Sequence, residues 1–241
     1  MEIDTTHNQE GVILLHGLCR TTASMAAMEA LLRREGYVVL NQAYPSRTET
    51  IARLGEQVVG DALQSPQLKD CKRIHFVTHS LGGILVRSYF GHKTDDRLGR
   101  VVMLGPPNQG SEVTDRIGDW KLYQSLNGPA GQELGTGNQS TPNRLGRVHF
   151  ELGVIAGDRS INWINSRMIP GPDDGKVSVE RTQVDGMKDH IVVHTTHPMM
   201  MRNAQVLQYT LNFLRTGAFR VPPLPLRDPR IGDFPTHPPL S

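Results

Sequence analysis

The chain has 241 residues, 37% of them hydrophobic, enough to bury one good-sized core, so a single main domain is expected. A formal charge of +2 is too small to argue for nucleic acid or an anionic membrane surface, and no window approaches the roughly 20 apolar residues of a membrane span. Two cysteines, Cys19 and Cys71, are too few for a disulfide scaffold and fit a reducing compartment; with the polar, acidic start MEIDTTHNQE, this leads us to expect a soluble, cytoplasmic protein.

Gly11 to Gly17 reads GVILLHG, an apolar run of the kind buried on both faces of a parallel sheet, closed by His16-Gly17-Leu18. Thr21, Thr22 or Ser24 can cap the next helix, whose stripe is Met25, Met28, Leu31 and Leu32 and whose end is Gly36. Tyr37 to Leu40 is a second strand, and Ile51, Leu54, Val58, Val59 and Ala62 mark another amphipathic helix. Arg73 to Phe90, RIHFVTHSLGGILVRSYF, then reads as strand, tight turn and helix, with Ser80 at the turn. Such a turn sets a hydroxyl at a helix N-terminus, where free N–H groups and the helix dipole favour a developing oxyanion.

After the polar connection Gly91 to Gly99, Val101 to Leu104 is the next strand. Residues 105–147 loosen into short helical pieces separated by Gly and Pro, a long connection of the kind that forms a lid or cap. His149 to Ala156 is a further strand ending at Gly157-Asp158, followed by IPGPDDGKVSVERTQV. Asp189 to His194 begins the last strand, and a helix carrying Val206, Leu207, Leu211 and Leu214 follows Pro198 and stops at Gly217. Residues 221–241 hold 7 of the 16 prolines with no helical or strand period, which reads as a proline-rich C-terminal tail. The alternation of strand and helix across residues 1–220 predicts an α/β domain with a mostly parallel sheet of about six strands and helices on both faces.

The segment Thr78-His79-Ser80-Leu81-Gly82 resembles the nucleophile elbow G-x-S-x-G of the α/β-hydrolase superfamily, with Thr78 in the first glycine position. The resemblance extends over Gly11 to Phe219 and is closest to compact bacterial lipases and esterases, since only ten residues precede GVILLHG. It implies an α/β-hydrolase fold with a small lid insertion at 105–147. It also implies an oxyanion hole from the backbone N–H groups of Leu18 and Leu81, and a triad in the order Ser80, Asp174, His197.

Asp174 lies in a D-G-x-V segment, where such lipases and esterases carry the triad acid; Asp158 and Asp173 are its competitors. His197 occupies the loop before the last helix, and HPMMMRN is similar to an HTFMMRN-type segment of bacterial hydrolases; His194, at or near the end of the last strand, is the alternative base, and His190 is expected before that strand. The expected activity is cleavage of carboxylic esters with short to medium acyl chains, on small-molecule or lipid esters, through an acyl-serine. Leu18, Met25, Leu81, Ile117, Trp120 and Leu126 are candidates for an acyl pocket. Transfer to an alcohol or amine, thioester or amide cleavage, and a non-catalytic binding role on the same fold remain alternatives. The sequence lacks clustered Cys/His ligands, H-E-x-x-H and a P-loop, so neither metal nor organic cofactor is expected.

Overall fold

A computed structural model describes residues 10–117, 121–160 and 169–220. The apolar runs become six strands: β1 (Glu10–Leu15), β2 (Val38–Gln42), β3 (Arg73–His79), β4 (Leu98–Leu104), β5 (Leu152–Gly157) and β6 (Asp189–Val193). They form one sheet in the order β2-β1-β3-β4-β5-β6, every neighbouring pair parallel. The chain therefore runs outward from β1 to β2, returns to β3 on the other side of β1, and continues to β6. The reversal lies between β1 and β3, where open α/β sheets leave a crevice outside their carboxyl ends.

Side chains alternate between the two faces, and each face has its own core. On one, Val12 and Leu14 of β1, Val77 of β3 and Leu104 of β4 pack against α1 (Ala26–Arg34) and the last helix. On the other, Ile13, Leu15, Phe76 and Met103 pack against residues 51–63 and the helix that follows β3. Residues 51–63 form α2 (Ile51–Leu54) and α3 (Gly60–Leu63) joined by a π-helical turn (Gly55–Val59). After β3 comes α4 (Leu81–Phe90).

Residues 105–147 carry α5 (Glu112–Ile117), α6 (Lys121–Gln132) and α7 (Thr141–Arg144). A break at Gly128 (φ 64°, ψ −171°) splits α6, and Pro129 opens its second part. This excursion is anchored to residues 49–51: the Ala130 amide donates to the Glu49 carbonyl (3.1 Å), and the Ile51 amide donates to Glu133 Oε1 (3.1 Å). The buried guanidinium of Arg87, on α4, donates to the carbonyls of Asn108 (2.8 Å), Pro142 (3.0 Å) and Gly146 (2.8 Å), holding both ends of the excursion against the sheet. Burial lowers its pKa to about 10, which leaves it charged at neutral pH.

The last helix begins later than its apolar pattern suggests. His197–Arg202 is a 3₁₀ turn, Asn203 is extended (ψ 126°), and its side chain accepts from the amides of Gln205 (2.9 Å) and Val206 (3.2 Å) to cap α8 (Ala204–Thr216). His197 consequently sits at the start of a separate turn at the carboxyl edge of β6. His190 lies inside β6. The proline-rich segment 221–241 lies outside the described residues. Among the described residues, no helix is long and apolar enough to cross a membrane.

Candidate active site

The sharp stop of β3 and immediate start of α4 force Ser80 into φ 51°, ψ −120°, a conformation that costs a non-glycine residue roughly 1–3 kcal/mol. Its amide donates to the Leu104 carbonyl (2.9 Å), so β4 fixes the turn. Gly82 lets α4 start against β1: a Cβ there would lie 2.7 Å from the Leu15 carbonyl oxygen. Thr78, in place of the motif's first glycine, is fully buried within β3 with its hydroxyl 3.5 Å from the Val102 carbonyl, so the sheet interior accommodates it.

Beside this turn, the chain leaving β1 makes a tight loop in which the Arg20 amide donates to the Gly17 carbonyl (3.2 Å) and Cys19 takes φ 56°. Ser46 Oγ accepts from the Cys19 amide (3.0 Å). The buried ring of His16 stacks on Tyr44 (centroids 4.1 Å apart), whose hydroxyl donates to the His16 carbonyl. Burial, the main influence on His16, lowers its pKa, so this support is neutral. The Leu18 and Leu81 amides have no hydrogen-bond acceptor among the described residues, one at the loop after β1 and the other at the first turn of α4.

Asp174 and His197, 23 positions apart, meet in the interior: His197 Nδ1 lies 2.7 Å from Asp174 Oδ2, with both side chains almost completely enclosed. Asp174 Oδ1 accepts from the amides of Lys176 (2.9 Å) and Val177 (3.0 Å), and the His197 amide donates to the Asp174 carbonyl (2.8 Å). Gly105, at the end of β4 with φ 54°, leaves the room they need; a Cβ there would lie 2.9 Å from Asp174 Oδ2 and 3.1 Å from His197 Nδ1. The competitors go elsewhere. Asp158 pairs with exposed His194 (2.9 Å), Asp173 Oδ1 accepts from the Gly175 amide (2.7 Å), and His190 contacts the Thr182 hydroxyl (3.0 Å).

Ser80 and His197 line one cavity of about 190 Å³, together with Leu18 and with Pro107, Ser111, Val113, Thr114 and Leu134 of the excursion. With Nδ1 engaged by Asp174, Nε2 is the ring nitrogen without a hydrogen-bond partner among the described residues. The Ser80 hydroxyl has no hydrogen-bond partner among the described residues, a common state before substrate binds.

Of the expected apolar lining, Leu18 borders the cavity, while Met25 and Leu81 do not. Met25 and Leu81 are buried in the cores on opposite faces, and the cavity draws instead on Pro107, Val113, Leu134 and Val177. Trp120 lies outside the described residues, as do the side chains of Ile117 and Leu126.

His79, whose place in the site sequence reasoning missed, is buried beneath His197: the ring centroids are 4.6 Å apart, and His79 Nε2 donates to the His197 carbonyl (3.1 Å). Burial, followed by the charge of a protonated His197, holds its pKa well below the usual histidine value. Its position directly before Ser80 was the only available sign. Among the described residues, no cluster of three or more His, Cys, Asp or Glu side chains is placed to hold a metal ion.

The sequence matches no protein-family model and no curated protein. Among solved structures, the mature lipase BlEst2 of Bacillus licheniformis is similar at a TM-score of 0.70 and 17% identity, over 88% of this chain and 93% of that one. Phospholipase PlaB of Legionella pneumophila is similar at 0.59 and 24% identity, over 72% of this chain and 44% of that one. The metagenomic carboxyl esterase MGS0156 is similar at 0.57 and 17% identity, over 80% and 65%. The shared architecture is the α/β-hydrolase fold.

Proposed function

We propose that the chain is a serine hydrolase of carboxylic esters, with Ser80 as nucleophile, His197 as general base and acid, and Asp174 as the residue orienting the imidazole. The observation that carries this reading is the enclosed Asp174–His197 pair opening onto the same cavity as a serine held at a strained strand-to-helix turn. His197 Nε2 takes the Ser80 proton as Oγ attacks the ester carbonyl, and the oxyanion is received by the Leu18 and Leu81 amides. The tetrahedral species expels the alkoxide, which His197 protonates. Water, deprotonated by His197, then attacks the acyl-serine and releases the acid with Ser80 restored. Asp174 holds Nδ1–H and answers the imidazolium charge that forms in each half.

Lipase and esterase neighbours of the same fold support the reaction class. The cavity, about 190 Å³, lies below the roughly 300–1,000 Å³ of drug-sized ligand sites, which favours short to medium acyl chains. Pro107, Ser111, Val113, Thr114 and Leu134 form one wall, which supports reading the insertion at 105–147 as its cap. Replacing Ser80 with Ala should abolish p-nitrophenyl butyrate cleavage and fluorophosphonate labelling while leaving the circular dichroism spectrum unchanged. Wild-type turnover in that variant would refute the assignment.

A further inference from the structure

The cavity that holds Ser80 is lined by two cations and by no carboxylate among the described residues: Arg20 reaches it from the loop after β1, and Lys176 from the segment that carries Asp174. Neither has an ion-pair partner among the described residues. Lys176 is held from behind, since its amide donates to Asp174 Oδ1 and its carbonyl accepts from Ser111 Oγ (2.8 Å). The residue as a whole is exposed, yet it lines the cavity and its charged group is partly desolvated there. That desolvation, the larger influence, and the nearby Arg20 charge lower its pKa from the ordinary lysine value. Two like charges lining one small cavity repel, and an anion bound between them removes that cost.

We infer that the preferred substrate is a small, water-soluble ester carrying a carboxylate or phosphate a few bonds from the scissile carbonyl, held by Arg20 and Lys176. This rests on the proposed serine chemistry at Ser80. Arg20 suits a carboxylate or phosphate through its planar fork, and Lys176 through its compact charge. The cavity volume sets the size class, because a long acyl chain does not fit within it.

The test compares matched pairs: p-nitrophenyl hexanoate with mono-p-nitrophenyl adipate, and 1-butyrylglycerol with 1-butyrylglycerol 3-phosphate. The wild-type enzyme should favour the anionic member of at least one pair by roughly tenfold in kcat/KM, mainly through KM, the scale of one charge-assisted contact. The variants Arg20→Gln and Lys176→Gln should each lower that ratio several-fold, and 0.5 M NaCl should lower it in the wild type. A wild-type ratio of one or less in both pairs, or a ratio unmoved in the double variant, overturns the inference. So does cleavage of phosphatidic acid in vesicles without cleavage of the soluble phosphate ester. Neutral esters turned over by the wild type but not by Ser80→Ala leave the serine chemistry standing when this inference fails. Activity retained in Ser80→Ala removes both.

Discussion

Gly105→Ala tests whether the Asp174–His197 pair is the working part of the site, because it disturbs that pair without removing either group. Two effects add. The backbone at φ 54° is one an alanine adopts at a cost of about 1 kcal/mol. The new Cβ would lie 2.9 Å from Asp174 Oδ2 and from Met200 Sδ, and 3.1 Å from His197 Nδ1. Met200 can yield, but the carboxylate is pinned by two amides at 2.9 and 3.0 Å and the imidazole by a 2.7 Å hydrogen bond, so relief requires the pair to move by several tenths of an ångström. Since misplacement by about 1 Å can cost on the order of 10²-fold, kcat for p-nitrophenyl butyrate should fall by roughly ten- to a hundredfold. KM should change little, as the apolar lining is untouched. The rate of fluorophosphonate labelling should fall in parallel, and the urea midpoint should shift only by the equivalent of about 1–2 kcal/mol. A variant with wild-type kcat and labelling rate would refute the claim that the space beside Gly105 sets the catalytic geometry.

Asp174→Asn should lower kcat by roughly 10³–10⁴-fold through loss of the correct imidazole tautomer, read as the p-nitrophenol release rate, while Asp158→Asn, at an exposed pair with His194, should stay within about twofold of wild type. Acid should unfold the protein steeply. Burial is the main cause that lowers the pKa of His16, His75 (to about 4), His79 and His190. The unfolded chain therefore binds protons that the folded one refuses. The stability is fully present above pH 6.5 and is lost as pH falls toward 4, most steeply through the most deeply buried pair, His75 and His79. Urea midpoints between pH 7.5 and 4 check the slope, and a flat profile would contradict it.

How much of this was legible in the sequence follows from the range over which each determinant acts. The strands were readable because a parallel sheet buried on both faces demands uninterrupted apolar runs, and GVILL and VVML supply them. Ser80 was readable because a strand, a turn and a helix are contiguous. The choice among Asp158, Asp173 and Asp174 was not readable from local chemistry. All three are loop carboxylates, and only the packed structure shows that one lies within 2.7 Å of a buried imidazole while another faces an exposed histidine. The acyl pocket was misread for the same reason: helical spacing identifies an apolar stripe without saying whether it faces core or cavity, and Met25 and Leu81 face core. The late start of α8 depends on Asn203, whose capping role competes with a continuous apolar pattern that begins at Met199.

The charges around the serine also explain why a second histidine can lie against the first. In the proposed reaction, His197 becomes positive each time a proton leaves Ser80 or water. A charged ring 4.6 Å away would oppose that step, yet His79 is at that distance, and its Nε2–H is needed to hold the His197 carbonyl. Complete burial resolves the conflict by keeping His79 neutral, and the nearby positive charges of Arg20 and Lys176 press in the same direction. As positive charges those two cations cannot help the imidazolium itself, which is answered by Asp174 at Nδ1. Their favourable interaction is with negative charge in the cavity, whether the oxyanion, the leaving alkoxide or an acidic group already on the substrate. Only the last persists in the ground state, which is why their removal should appear in KM for anionic esters more than in kcat for neutral ones.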